Sequence, residues 1–145
     1  MDRSEKAAQL FMQGYNCAQA VAVAFCDLTG QTPEEAAGMA SCFGGGMGRM
    51  REVCGAVSGM FLVLGQLKGY NDPKADEEKM ALYAKVQALA EKFREQWSTI
   101  LCRDLLDNPP SDPNPSPRTA QYYKERPCAA FVYTAARILA EELEQ

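Results

Sequence analysis

Outside one apolar run, the chain nowhere alternates β-branched and polar residues over four or more positions, so no half-buried strand is signalled. Helix signals recur instead, each with its own stop. An amphipathic segment from about Ser4 to Gln13 ends at Gly14. Asn16 then caps a second helix carrying Ala20, Val21, Val23, Ala24 and Leu28, which Gly30 closes. Thr32-Pro33-Glu34-Glu35 is a capping box with proline at the first helical position, and it opens a short helix ending near Ser41 or Cys42. The expected fold is all-α: a single-domain helical bundle, 1–145, around a central buried glycine-containing helix.

That central helix is expected from about Glu52 to Lys68, ending at Gly69. Its apolar run, Val53 to Leu67, is broken by Gly55, Ser58, Gly59, Gly65 and Gln66, and is shorter than the roughly 20 residues of a bilayer span. Before it lies Phe43-Gly44-Gly45-Gly46-Met47-Gly48-Arg49, which no regular helix can accommodate. After it, Asp72-Pro73 opens the longest helix, with Leu82, Val86, Leu89, Phe93 and Trp97 on one face and charged residues on the other. A short helical turn is expected from Leu101 to Leu106. Five of the eight prolines then crowd into a loop over 107–118, which forbids helix and favours a stiff, exposed excursion. The last helix starts at Pro127-Cys128 and runs to about Leu143.

The chain has six cysteines and no histidine. Mechanisms that need imidazole are thereby excluded, among them Ser-His-Asp and Cys-His nucleophile pairs, His-ligated zinc hydrolases and His-ligated haem. With a net charge of −4 and no concentrated basic stretch, nucleic acid is not an expected partner. The mixed-charge start, Met1-Asp2-Arg3-Ser4-Glu5-Lys6, has no secretory apolar region, so a cytoplasmic protein without membrane contact is expected. In a reducing compartment cysteines more often mean metal binding or catalysis than standing disulfides, although buried inert thiols are the plain alternative. A homodimer through an apolar helix face is compatible with the pattern.

The cysteines stand at 17, 26, 42, 54, 102 and 128, with no CxxC pair. This argues against a thioredoxin-type site, a zinc ribbon and c-type haem attachment. On the expected helices, Cys17 follows the cap Asn16, Cys54 lies in the first turn of the central helix, and Cys102 and Cys128 open helical segments. A helix start favours thiolate over thiol. Arg49, Arg51, Arg103 and Arg126 lie close in sequence and could add to that effect. Cys26 and Cys42 fall at helix ends, where the dipole opposes a thiolate, and are read as structural. The glycine stretch matches no phosphate-binding motif. It is either a flexible joint or a turn that lets backbone N–H groups and Cys54 approach another cysteine or a cluster closely. Gly44, Gly45, Gly46, Gly48 and Gly55 are its candidate cofactor-facing residues.

Cys54-Gly55-Ala56-Val57-Ser58-Gly59, preceded by Phe43-Gly44-Gly45-Gly46-Met47-Gly48-Arg49 and by Tyr15-Asn16-Cys17-Ala18-Gln19-Ala20-Val21, resembles a family named for its C, GCAxxG, C, C cysteine pattern. The resemblance covers nearly the whole chain. It implies a small, mostly helical protein with a redox role, and it assigns the pattern to Cys17, Cys54, Cys102 and Cys128. Relatives that carry this unit beside c-type haems do so with a haem motif that this chain lacks.

Three functions follow as expectations. The first is thiol–disulfide chemistry, with Cys54 as the attacking thiolate and Cys17, Cys102 or Cys128 resolving, in exchange with an unidentified redox partner. The second is an all-thiolate site in which Cys17, Cys54, Cys102 and Cys128 ligate an iron–sulfur cluster or zinc, for electron transfer or sensing. The third is a non-enzymatic helical interaction domain whose cysteines only pack. Substrate, electron donor and disulfide connectivity are not readable from the residues.

Overall fold

Asp2, Asn16 and Thr32 each have a side-chain oxygen that suits a helix start, and each accepts the backbone N–H three residues on. They open α1 (Arg3–Met12), α2 (Cys17–Ala24) and α4 (Pro33–Ala40). At Asn16 and Thr32 the capping box is complete, with Gln19 and Glu35 returning a bond to the cap's own N–H. The computed structural model describes residues 1–144. The remaining helices are α3 (Cys26–Thr29), α5 (Gly55–Lys68), α6 (Asp76–Trp97), α7 (Cys102–Leu105), α8 (Ala120–Glu125) and α9 (Cys128–Leu143). Among the described residues there is no strand, only an isolated antiparallel bridge between Val53 and Leu101. The all-α single domain is therefore as the residues predict.

The second expected helix is in fact two. Its ladder stops at Ala24 because Arg3 takes over the end: Nη1 donates to the Ala24 carbonyl at 2.9 Å, and the guanidinium grips Asp27 at 2.7 and 2.8 Å. Phe25, fully buried beneath that guanidinium, leaves helical geometry at φ −113°, and α3 turns away to end at Gly30. Cys26 therefore opens a short turn rather than closing a long helix.

Two other starts are displaced. Residues 52–54 are extended and pair with 100–102, Cys54 N–H donating to Ile100 O and Cys102 N–H to Glu52 O, both at 2.7 Å. The central helix accordingly begins at Gly55, and Cys54 is its cap residue rather than part of its first turn. Asp72 spends its side chain on a local turn, accepting Lys74 N–H at 3.0 Å, so α6 starts only at Asp76. Helix α8, capped by Thr119 through the Tyr122 N–H, has no counterpart in the sequence expectations.

In the core, α5 packs on α2, α6 and α9, and α2 shares the centre with it, touching α1, α4 and α9 as well. Small residues permit this crowding. Ala18, Ala20 and Ala24 of α2 are completely buried, and Gly59 of α5 lies directly against Ala18. Within the core, Phe93 and Phe131 pack together, and the single tryptophan, Trp97, meets the Phe131 ring edge-on at 4.8 Å while donating to Thr134 Oγ1 at 3.1 Å. Glu142, buried to 5% exposure, is paired with Lys85 at 3.1 Å. Among the described residues no helix is long and apolar enough to cross a membrane.

Candidate functional site

Three short stretches of backbone bring the site together. The glycine stretch does not form a flexible joint. Gly45, Gly46, Met47, Gly48 and Arg49 all have φ between 61 and 72°, making one left-handed turn. Left-handed backbone costs L-residues about 1–2 kcal/mol each, which is why three of the five are glycine. The turn reverses the chain so that Arg51 and Glu52 N–H groups bond back to Gly45 and Gly46 carbonyls at 3.2 and 2.9 Å.

Two glycines set the closeness of approach. A Cβ on Gly46 would stand 2.8 Å from Cys102 Cβ and 2.7 Å from the Glu52 nitrogen. One on Gly55 would stand 2.8 Å from the Phe43 carbonyl oxygen and 3.2 Å from Cys17 Cβ. Neither gap admits a side chain. Gly44 similarly lies against the Asn16 side chain, while Gly45 and Gly48 serve the left-handed backbone.

The result is a cavity of about 50 Å³ onto which Cys17, Cys54, Cys102 and Cys128 all open, together with Gly46, Gly55 and Phe131. The four cysteines start α2, α5, α7 and α9, so four helix termini converge there. Cys26 and Cys42 lie outside it: Cys26 is partly buried, and Cys42 is exposed rather than a core thiol. Among the described residues no group of three or more Cys, Asp or Glu side chains is arranged to hold a metal ion.

Electrostatics separates the four thiols in a way that helix position alone does not. Burial pushes Cys54 up to about 12, outweighing the Ala56 and Val57 N–H groups that would favour its thiolate. Cys102 is also raised by burial, against the pull of Arg51, whose Nη1 donates to its sulfur at 3.6 Å. Cys17 and Cys128 form a sulfur-to-sulfur pair. The Cys17 thiol donates to Cys128, which holds Cys17 well above the usual range. Cys128 is lowered, first by that hydrogen bond and then by Arg126, Arg118 and Arg51, with burial opposing. The dipole argument that favours a Cys54 thiolate thus loses to desolvation, and the thiolate-prone sulfur of the cavity is Cys128.

The arginines also divide. Arg51 is 4% exposed and reaches the cavity, as does Arg126. Arg103 turns away to pair with Glu52 at 3.3 Å, and Arg49 binds the proline-rich loop, donating to Asp112 O at 2.7 Å and Ser116 Oγ at 3.0 Å. That loop is exposed but is not a free excursion. Arg51 Nε holds its Pro110 carbonyl at 2.9 Å, so the loop is strapped across the glycine turn.

Sequence reasoning missed Arg118. Its guanidinium donates to Tyr15 O at 2.9 Å and Phe11 O at 3.1 Å, and lies 4.4 Å from the centre of the Phe11 ring. The carbonyls it holds are about a hundred residues away, so no local pattern signals these bonds. Tyr122, another lining residue, is raised by burial and by the neighbouring Cys128.

No curated protein and no solved structure matches the chain. A family model does match, over residues 15–142, and the matched span contains all four cavity cysteines and the glycine turn. By that match, which covers most of its length, the chain belongs to the family described as "Putative redox-active protein (C_GCAxxG_C_C)".

Proposed function

We propose that the chain is a thiol–disulfide redox protein in which Cys128 is the attacking thiolate and Cys17 the resolving thiol. The observation that carries this reading is that both sulfurs open onto one small cavity lined also by Arg51, Arg118 and Arg126, where the interaction between the two thiols raises Cys17 and lowers Cys128. A thiolate with a neutral thiol as its immediate neighbour is the reduced half of an exchange couple. Attack by Cys128 on an external disulfide gives a mixed disulfide, which Cys17 then displaces. The protein loses two electrons as the Cys17–Cys128 bond forms, and the external disulfide gains them. Cys54 and Cys102, both raised by burial, stay protonated on the same cavity wall.

The test is an anaerobic preparation of the full chain, with thiol counting, metal analysis and peptide mapping before and after oxidation. The expected result is loss of two titratable thiols, a bond between Cys17 and Cys128, and recovery on reduction. Stoichiometric iron or zinc held by the four cysteines would overturn the proposal in favour of a metal centre. Thiols that react only after denaturation, with neither metal nor disulfide, would leave packing as their role.

A further inference from the structure

Beside the cysteine cavity, and sharing Arg51, Arg118, Tyr122 and Arg126 with it, lies a larger recess of about 290 Å³. Its charge runs against that of the chain as a whole, which is −4. Arg49, Arg51, Arg118 and Arg126 line it, and no Asp or Glu does. Asp112 stands at its edge, 4.0 Å from Arg49. Among the described residues no carboxylate pairs with the other three.

Arg51 supplies a second, independent observation. Its side chain is buried, with Nε on Pro110 O and Nη1 on Cys102 Sγ, yet Nη2 has no hydrogen-bond partner. A buried guanidinium donor left unsatisfied is costly, and a single carboxylate oxygen would satisfy it with a charge-assisted bond. Arg126, held over the Tyr122 ring at 5.0 Å, and Arg118, stacked on Phe11, are similarly fixed in place by aromatic faces. The recess is therefore cationic and incompletely paired, and it adjoins the cavity of Cys128.

We propose that this recess binds the carboxylates of a small anionic disulfide, with Arg51 Nη2 as the innermost donor, and presents the ligand's sulfur to Cys128. The inference rests on the thiol–disulfide reading above and adds the substrate class. The volumes set the size: about 290 Å³ takes a short carboxylate arm, and the inner cavity of about 50 Å³ takes a sulfur and little else. Cys128 attacks one ligand sulfur, breaking the ligand S–S bond and releasing a thiolate. Cys17 gives its proton to that thiolate and attacks the Cys128 sulfur, releasing the second thiolate. Two electrons pass from the cysteine pair to the ligand, which leaves as one thiol and one thiolate.

Two probes matched in length distinguish charge recognition from ordinary exchange: dithiodipropionate, a dianion, and cystamine, a dication. Each is reacted with the reduced full chain at fixed ionic strength, and each rate is normalised to that probe's rate with a simple thiolate. The expected ratio favours the dianion by about tenfold or more, and Arg126→Gln brings it toward one. Loss of Arg126 also weakens the Cys128 thiolate, but that slows both probes alike and leaves the ratio untouched. A ratio near one in the parent, or one unchanged in Arg126→Gln, overturns the proposal.

Calorimetry of dithiodipropionate with Cys128→Ser separates this proposal from the one beneath it. Binding there that Arg126→Gln abolishes supports the recess even if no Cys17–Cys128 bond ever forms, in which case only the redox reading falls. Sulfate competing as strongly as dithiodipropionate, against chloride at equal ionic strength, would mark an inorganic oxyanion site and overturn the assignment of a disulfide ligand.

Discussion

Gly59→Ala and Gly65→Ala add the same methyl group to the same helix, α5, and should change stability in opposite directions. In a helix interior, alanine in place of glycine gains about 1 kcal/mol from backbone propensity. At Gly65 a Cβ would meet nothing within 4 Å, so that gain should be realised in full. A chain of this size should then melt roughly 2–4 °C higher. At Gly59 the same Cβ would lie 2.7 Å from the Ala18 carbonyl oxygen and 3.1 Å from both Ala18 Cα and Val21 Cβ. Those contacts are mostly backbone, so no side chain can swing aside. Helix α2 cannot retreat either, because α1, α4 and α9 pack against it and Ala18 and Val21 are fully buried. Overpacking of this rigid kind belongs near the top of the usual range, about 2–3 kcal/mol. Set against the propensity gain, the net loss is about 1–2 kcal/mol. Urea unfolding of the reduced proteins, followed by helical circular dichroism and by Trp97 emission, measures both variants on one scale. An unchanged denaturant slope would show that the surface exposed on unfolding is the same and that the midpoint shift reports stability alone. A Gly59→Ala protein as stable as its parent would refute the close crossing of α2 and α5.

Four other outcomes are expected. Cys54, held near 12 by burial, should resist iodoacetamide at pH 8 in the native protein and react freely once denatured, as peptide mass spectrometry can show. Cys17→Ala should move the pH profile of Cys128 alkylation upward, since the Cys17 hydrogen bond is the largest cause of its lowered pKa; Cys17→Ser, which keeps a donor, should move it less. Asp27 is held at about 2 by Arg3, below its ordinary 3.8, so its contribution is complete above about pH 4 and lost as the pH falls toward 2. Because Asp27 is more than half exposed, Asp27→Asn should cost under about 1 kcal/mol at pH 7, and the difference in melting temperature should shrink as the pH falls toward 2 and vanish below it. Thr134→Val strands the Trp97 indole N–H and should cost about 1–3 kcal/mol, with a change in tryptophan emission.

What the sequence revealed, and what it hid, divides along the range of the forces concerned. Asn16, Thr32 and Gly30 act on their own helix ends, and the elements they bound are as expected except where a distant group intervenes. Arg3 is such a group, since it cuts the second helix at Ala24 from 21 residues away. The pairing of 52–54 with 100–102 is another, and it delays α5. The same division holds at the site. That Cys17, Cys102 and Cys128 begin helical segments follows from local punctuation, whereas Cys26, expected at a helix end, begins one as well. Which of them favours the thiolate depends on burial and on arginines brought in by tertiary folding. No pattern near Cys54 announces that it is sealed, and none near Arg118 announces that it faces Cys128.

The sulfur pair lies at opposite ends of the chain, Cys17 opening α2 and Cys128 opening α9. A bond between them would close a loop of about 110 residues, and a cross-link of that span removes chain entropy from the unfolded state worth about 4–5 kcal/mol. Oxidation would then do more than store two electrons, since it would tie the first third of the polymer to the last. By linkage, whatever the bond adds to folding the fold returns to the bond, so the native chain would hold this disulfide more tightly than an unfolded one does. The difference in melting temperature between oxidised and reduced protein would therefore report the strength of the couple itself.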